Sequence, residues 1–150
     1  MKMRFILCCG IALVLACQKK ETIVPVVPGG DRVVLLEEFT GKGCTNCPKG
    51  NREIDNLLAL YDSNLVVVSI HAGTFADPFF FPVGTYDLRT EDGNSIFQML
   101  GPNLGYPSGV VDRVKVNGEF QQGSQAWADI VAQEVAVDPS VNFVVDHTYD

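Results

Sequence analysis

A pair of closely spaced cysteines lies in the run Gly41-Lys42-Gly43-Cys44-Thr45-Asn46-Cys47-Pro48. An apolar run typical of a buried strand, residues 33–39, precedes it, and a helical pattern follows it directly. The run is therefore predicted to join a strand to a helix. At such a junction the first sulfur lies at a helix N-terminus, where free backbone N–H groups and the helix dipole stabilise a thiolate.

The chemistry expected of this pair is thiol–disulfide exchange. Cys44 would be the nucleophile, and Cys47 would be the resolving thiol that attacks the mixed disulfide. Lys42 and Lys49 flank the pair and favour the thiolate, so both are candidate modulators. The alternative is a static structural disulfide in a binding protein.

Length and composition restrict the other classes of function. The chain has 150 residues, enough for one modest domain with extensions, and it is 47% hydrophobic and 19% charged, as is ordinary for a globular protein. Its formal charge of −7 argues against nucleic acid as a partner, because phosphate binding needs clustered lysines and arginines. Only two of the five cysteines follow residue 17, and they cannot make a multi-bridge scaffold.

Residues 1–16 have the features of an export signal. Lys2 and Arg4 supply the positive start, and the apolar run that follows is shorter than the roughly 20 residues that span a bilayer. Residues 13–17, Leu-Val-Leu-Ala-Cys, resemble the bacterial lipobox, whose cysteine is lipidated and becomes the mature N-terminus. We therefore predict a lipoprotein signal peptide over residues 1–16 and lipidation of Cys17. The alternative is an ordinary signal peptide that is cut nearby.

Residues 17–31 are predicted to form a lipidated flexible tether. They start with a polar stretch, and their prolines and glycines oppose a regular helix or strand. Such a segment would separate a lipid anchor from a folded domain that begins near residue 32.

The elements that follow the cysteines predict a parallel crossover. Four apolar residues recur at the spacing of an amphipathic helix: Ile54, Leu57, Leu58 and Tyr61. A strand of the type buried on both faces follows over residues 65–70 and ends at His71. A strand, a helix and a strand in this order favour a right-handed parallel unit.

The second half of the domain is predicted to add a short helix, a hairpin and a last helix. Residues 92–95 offer capping and turn chemistry before a helix over residues 96–100. An Asn-Gly turn at residues 117–118 predicts a hairpin, and residues 125–135 have the pattern of a helix. Residues 137–150 are predicted to contain a further strand or the start of a C-terminal β domain.

This order of elements resembles the thioredoxin fold over residues 32–136. Glu38 precedes a phenylalanine at the place where thioredoxins have a buried Asp-Phe pair, six residues before the first cysteine. Pro107 precedes the predicted hairpin, where the family has its cis-proline. The resemblance implies an α/β fold with a central mixed sheet flanked by helices and an insertion before that proline.

The resemblance also implies roles for Glu38 and Pro107. A buried Glu38 would accept the Cys47 proton, because burial raises a carboxyl pKa toward neutrality. The alternative is a carboxylate in solvent at the strand end, with Glu37 as a competitor for the role. Pro107 in cis would expose a backbone edge beside Cys44 for an extended substrate, whereas a trans proline would simply start a strand.

His71 is expected at the same edge of the sheet as the cysteines. It is a candidate modulator of the thiolate or, together with both cysteines, a zinc or copper ligand. That ligand set is incomplete and most such histidines are loop residues, so no metal is expected. The sequence has no phosphate-loop or other cofactor motif, and no cofactor is expected.

Within the superfamily, the sequence is similar to the thioredoxin-like outer-membrane lipoproteins. Residues 35–41 before the Cys-x-x-Cys-Pro motif and residues 107–113 carry this similarity, although Gly43 replaces the usual tryptophan and Thr45-Asn46 replaces Gly-Pro. The similarity implies a lipid anchor in the cell envelope, at the periplasmic or surface face of the outer membrane. It also implies exchange with thiols and disulfides of exported proteins and an unidentified redox partner. The alternative is a non-catalytic binding lipoprotein with the same fold.

Overall fold

The computed structural model describes residues 32–80, 86–102 and 105–141. The predicted signal peptide, the tether with Cys17, and residues 142–150 lie outside these ranges. Within the ranges, no helix combines the length and the apolar character needed to cross a membrane.

A four-stranded mixed sheet and three α-helices make up the described part of the domain. The strands are β1 (Val34–Thr40), β2 (Leu65–His71), β3 (Ser108–Val111) and β4 (Gln122–Gly123), and the helices are α1 (Cys47–Tyr61), α2 (Glu91–Met99) and α3 (Ser124–Val135). The strand order is β2-β1-β3-β4; β1 is parallel to β2 and antiparallel to β3, and β3 is antiparallel to β4. This is the thioredoxin-like α/β arrangement that the sequence predicts.

Strand β1 lies inside the sheet and contributes to a core on each face. Val34 and Leu36 belong to the core that α1 and α3 cover, whereas Phe39 belongs to the core on the α2 side. Successive side chains of a strand point to opposite faces, which explains both assignments. All three side chains are fully buried, as the continuous apolar run predicts for a strand covered on both faces.

Helix α1 follows from its apolar spacing and from its proline. Pro48 lies in the first turn, where the missing N–H group removes no hydrogen bond of the helix. Ile54, Leu57 and Tyr61 are buried as predicted, but Leu58 is 38% exposed. The predicted apolar face is therefore one residue too wide, because Leu58 lies at its margin.

The prediction that β2 is buried on both faces is wrong. Val66 and Val68 are 48% and 45% exposed. In the described sheet β2 is one of the two edge strands, and α2 packs against its C-terminal part through Ile70. An apolar run alone does not distinguish a strand that is covered along its whole length from one that is covered only at its end.

Helix α2 is longer than predicted, because residues 92–95 lie inside it and not in a preceding turn. It begins at Glu91, and its N-cap residue is Thr90. The Thr90 hydroxyl accepts a hydrogen bond of 2.9 Å from the Gly93 N–H group, which satisfies one of the free donors of the first turn.

The predicted hairpin forms only as a turn. Asn117 and Gly118 have positive φ angles of 55° and 88°, as an Asn-Gly turn requires. The flanking residues make a single bridge, between Val116 and Glu119, and the fourth strand of the described sheet lies further along the chain at Gln122–Gly123.

Helix α3 agrees with its prediction. Trp127, Ile130 and Val131 are buried against the sheet. The Trp127 indole N–H group donates a hydrogen bond of 3.0 Å to the carbonyl oxygen of Gln122, so this large side chain is buried without losing its polar partner.

Candidate active site

Cys44 and Cys47 form a disulfide with an Sγ–Sγ distance of 2.07 Å and a Cα–Cα distance of 5.4 Å. Helix α1 begins at Cys47, so Cys44 lies in the turn before the helix and its sulfur reaches the helix start through the bond to Cys47. The sequence analysis expected the first sulfur at a helix N-terminus, and the structure places Cys44 three residues before the first residue of the helix. Cys44 is 8% exposed and Cys47 is 5% exposed, so the first cysteine is slightly the more accessible.

The turn that holds Cys44 is fixed against the short 3-10 turn Thr74–Ala76. The Gly43 N–H group donates a hydrogen bond of 2.9 Å to the Phe75 carbonyl oxygen, and the Cys44 N–H group donates one of 3.0 Å to the Gly41 carbonyl oxygen. The two backbones pass so closely that a Cβ atom on Gly41 would lie 2.3 Å from the Phe75 carbonyl carbon. Glycine at position 41 is therefore a requirement of this contact.

The Gly41→Ala variant should be less stable than the parent by about 2–3 kcal/mol, because the added methyl group meets backbone that cannot rotate away. Urea unfolding of the oxidised protein would measure the difference. Gly123→Ala is a suitable control: the atoms nearest its Cβ atom would belong to the movable Gln125 side chain, and we expect a loss below about 1 kcal/mol. Equal losses in the two variants would contradict the role assigned to the contact at Gly41.

Pro107 lies against α1, on the side that carries the cysteines. The Tyr106–Pro107 peptide bond is cis, the isomer that the resemblance implies. A Cβ atom on Gly50 would lie 2.8 Å from the Pro107 ring, so the glycine permits this close approach. The Tyr106 hydroxyl donates a hydrogen bond of 2.7 Å to the Ala72 carbonyl oxygen and ties the segment to the end of β2.

An open cavity of about 390 Å³ lies between α1, the Pro107 segment and the start of α3. Asn46, the residue before α1, and Lys49 in its first turn line it on one side, and Pro107 and Gln125 line it on the other. The cysteines do not line this cavity, but it borders Asn46, which lies between them in the sequence, and the Pro107 segment.

Glu38 is fully buried on the face of the sheet that α1 covers. It follows Leu36 by two residues, so both side chains point to that face. Within the described residues, neither carboxyl oxygen makes a hydrogen bond of normal geometry. Burial raises the pKa of Glu38, and the nearby hydroxyls of Ser69 and Thr40 oppose that rise in part. The raised pKa makes this carboxylate a better proton acceptor than an ordinary glutamate.

Glu37, the competitor of Glu38, points to the opposite face and has a different role. Its carboxylate accepts two hydrogen bonds from the Arg113 guanidinium, of 2.8 and 2.9 Å. The two parallel hydrogen bonds make Glu37 a structural partner of Arg113. The sequence analysis missed Arg113, because the two residues are 76 positions apart and no local pattern joins them.

Of the candidate modulators, His71 and Lys42 lie near each other and Lys49 lies apart. His71 is the last residue of β2, and its Nδ1 atom is buried without a hydrogen-bond partner in the described structure. Burial lowers the pKa of His71, and the positive charge of Lys42 lowers it further. The Lys42 ammonium group donates to the Tyr86 carbonyl oxygen, whereas Lys49 is exposed on α1 beside the cavity.

The metal alternative for His71 gains no support in the described ranges. They contain no group of three His, Cys, Asp or Glu side chains close enough to hold a metal ion.

No family model matches this chain, and no curated protein matches it. Among solved structures, the chain is similar to a mutant thioredoxin from Halobacterium salinarum NRC-1. The match has 18% sequence identity and a TM-score of 0.39, and it covers 73% of this chain and 80% of that one. The sheet topology and the cysteine pair, independently of this match, describe a thioredoxin-like α/β fold with a Cys-x-x-Cys disulfide at the start of a helix.

Proposed function

We propose that the protein is a thiol–disulfide oxidoreductase that acts on exported proteins through Cys44 and Cys47. The observation that carries this proposal is the disulfide at the start of α1, on the side of the helix that meets Pro107. The helix terminus favours a thiolate once the bond is reduced, and the cavity beside Pro107 leaves room for an extended substrate.

In the reducing direction, the Cys44 thiolate attacks one sulfur of a substrate disulfide and releases the other substrate sulfur as a thiolate. Cys47 then gives its proton to the Glu38 carboxylate and attacks the Cys44 sulfur. This second attack releases the remaining substrate sulfur and leaves the Cys44–Cys47 disulfide. Two electrons have moved to the substrate, and an external dithiol must reduce the pair again. The same steps in reverse would oxidise a substrate dithiol.

The proposal includes a lipid anchor at Cys17 in the outer membrane, followed by a flexible tether. Its support is the lipobox-like sequence at residues 13–17 and the prolines and glycines before residue 32. Labelling with radioactive palmitate in a bacterial host should mark the wild-type chain and not Cys17→Ser. Label that remains on the variant would contradict the anchor without affecting the redox proposal.

A second candidate function is a non-catalytic envelope protein that keeps the Cys44–Cys47 bond as a static bridge. The observation that favours it is the small exposure of both cysteines, 8% and 5%. Structural disulfides resist reduction, whereas exchangers must be reduced and oxidised within the range of their partners.

The reduction potential of the pair distinguishes the two functions. We expect a value between about −120 and −270 mV, the range of disulfide exchangers, measured by equilibration with glutathione or dithiothreitol buffers. We also expect dithiothreitol-driven reduction of insulin. A potential below about −300 mV together with no insulin reduction would favour the static bridge.

A further inference from the structure

A proton that enters the Glu38 carboxyl must also leave it, although the side chain is fully buried. On the side of β3 the way to solvent is closed. Gly109 pairs with Glu38 there, and a Cβ atom on Gly109 would lie 3.0 Å from both Leu36 and Trp127. Apolar side chains therefore fill the space beside Gly109 on the face of the sheet to which Glu38 points.

On the side of β2 the surroundings are different. Ser69 is the partner of Glu38 in the parallel register, so both side chains point to the face that α1 covers. Ser69 is exposed, whereas Glu38 is not, because β2 is an edge strand of the described sheet and β1 lies inside it. The Ser69 hydroxyl thus lies between the enclosed carboxyl group and water, whereas the Thr40 hydroxyl, also near the carboxyl group, belongs to a residue that is only partly exposed.

We propose that the Ser69 hydroxyl connects Glu38 to solvent as a proton relay. The proposal rests on the proposed function, in which Glu38 takes the Cys47 proton. The protonated carboxyl group donates its proton to Ser69 Oγ while the Ser69 O–H group donates its own to a water molecule. The carboxylate is then restored, and the hydroxyl group carries one proton as before. Ser69 acts through Glu38 and does not touch the substrate, so it is a positioning residue.

Other titratable groups also face this region, and any test must leave those residues unsubstituted. Cys47 and Tyr61 are on the buried face of α1, and His71 follows Ser69 by two residues on β2. The buried face of α3 is apolar. A change at Ser69 alone leaves these groups in place.

The test compares Ser69→Thr with Ser69→Val. Threonine and valine have nearly the same shape and both suit a strand, so the two variants differ in the hydroxyl group alone. Rapid-mixing infrared spectroscopy of the oxidised protein in D₂O would follow the exchange of the Glu38 carboxyl proton, with Glu38→Gln used to assign the band. Insulin reduction across a pH series would report the effect on turnover.

We expect Ser69→Thr to retain both rates within about twofold and Ser69→Val to lose about tenfold in each. The infrared titration of Glu38 should also move to higher pH in Ser69→Val, because the nearby hydroxyl that lowers the pKa of the carboxyl group is removed. Equal exchange rates and equal titrations in the two variants would overturn the relay. Slower exchange in Ser69→Val without insulin reduction by the wild type would uphold the relay and reject the proposed function.

Discussion

The Cys44→Ser variant should lose insulin reduction by a factor on the order of a thousand or more. A serine hydroxyl is not ionised at neutral pH and does not attack a disulfide, whereas a thiolate at a helix start does. The turn that holds position 44 is fixed by backbone hydrogen bonds to Gly41 and Phe75, so the substitution should leave the fold intact. Turnover with dithiothreitol as electron donor would measure the loss.

Cys47→Ser is the matched control for this experiment. It retains the nucleophile and removes the resolving thiol, so the reaction should stop at a mixed disulfide between Cys44 and the substrate. Non-reducing gel electrophoresis would detect that adduct, and mass spectrometry would identify the captured proteins. An adduct with Cys44→Ser in place of Cys47→Ser would reverse the assigned roles. Unchanged turnover in both variants would rule out a reaction through this pair.

The elements nearest the cysteines could be predicted because their signals are local. The apolar run of β1 and the apolar spacing of α1 each specify one element, and the Cys-x-x-Cys motif between them gives their junction. The fully buried Glu38 was predicted from the resemblance and not from local pattern, since a polar residue at a strand end is more often exposed.

The features that sequence analysis missed depend on which elements become neighbours in the sheet. The exposed face of β2 follows from its outer position, and Ser69 is important only because the parallel register places it beside Glu38. The pair formed by Glu37 and Arg113 joins β1 to the turn after β3. Ser69 did carry a weak signal, since it interrupts an otherwise apolar strand, but that signal has meaning only with its partner known.

The Glu38→Gln variant should be more stable than the wild type at neutral pH, although we expect it to be the slower enzyme. The wild-type protein buries a carboxyl group without a hydrogen-bond partner among the described residues, and burial raises its pKa above the ordinary value of 4.5. Ionising this group inside the fold costs free energy, whereas in the unfolded chain it ionises in water without that cost. A neutral amide of similar size avoids that cost, while it cannot accept the Cys47 proton.

The sign of the pH dependence follows from proton linkage. Between pH 4.5 and the raised pKa, the folded wild type holds a proton on Glu38 that the unfolded chain has released. The free energy of unfolding therefore falls as pH rises through this window. Above the window, Glu38 adds no further pH dependence to it. The difference between Glu38→Gln and wild type should grow over the same window, by about 1.4 kcal/mol for each pH unit between the two pKa values.

Urea unfolding of the oxidised proteins from pH 4 to pH 8 would measure this difference, because the disulfide then keeps both cysteines from titrating. His71 has an effect of opposite sign: its pKa is lowered by burial, so its contribution to stability rises with pH up to about 6.5. That contribution is present in both proteins and cancels in the comparison. Stability curves that run parallel for the two proteins would show that Glu38 does not titrate abnormally.

The neighbouring residue provides the control of opposite sign. Glu37→Gln removes a carboxylate that accepts two hydrogen bonds from Arg113, so it should destabilise the protein by about 1–2 kcal/mol at neutral pH. Two adjacent glutamates on one strand would then respond in opposite directions to the same substitution. The reason is that Glu37 is buried beside a cation and Glu38 is buried without one. A gain in stability from both variants would contradict this explanation.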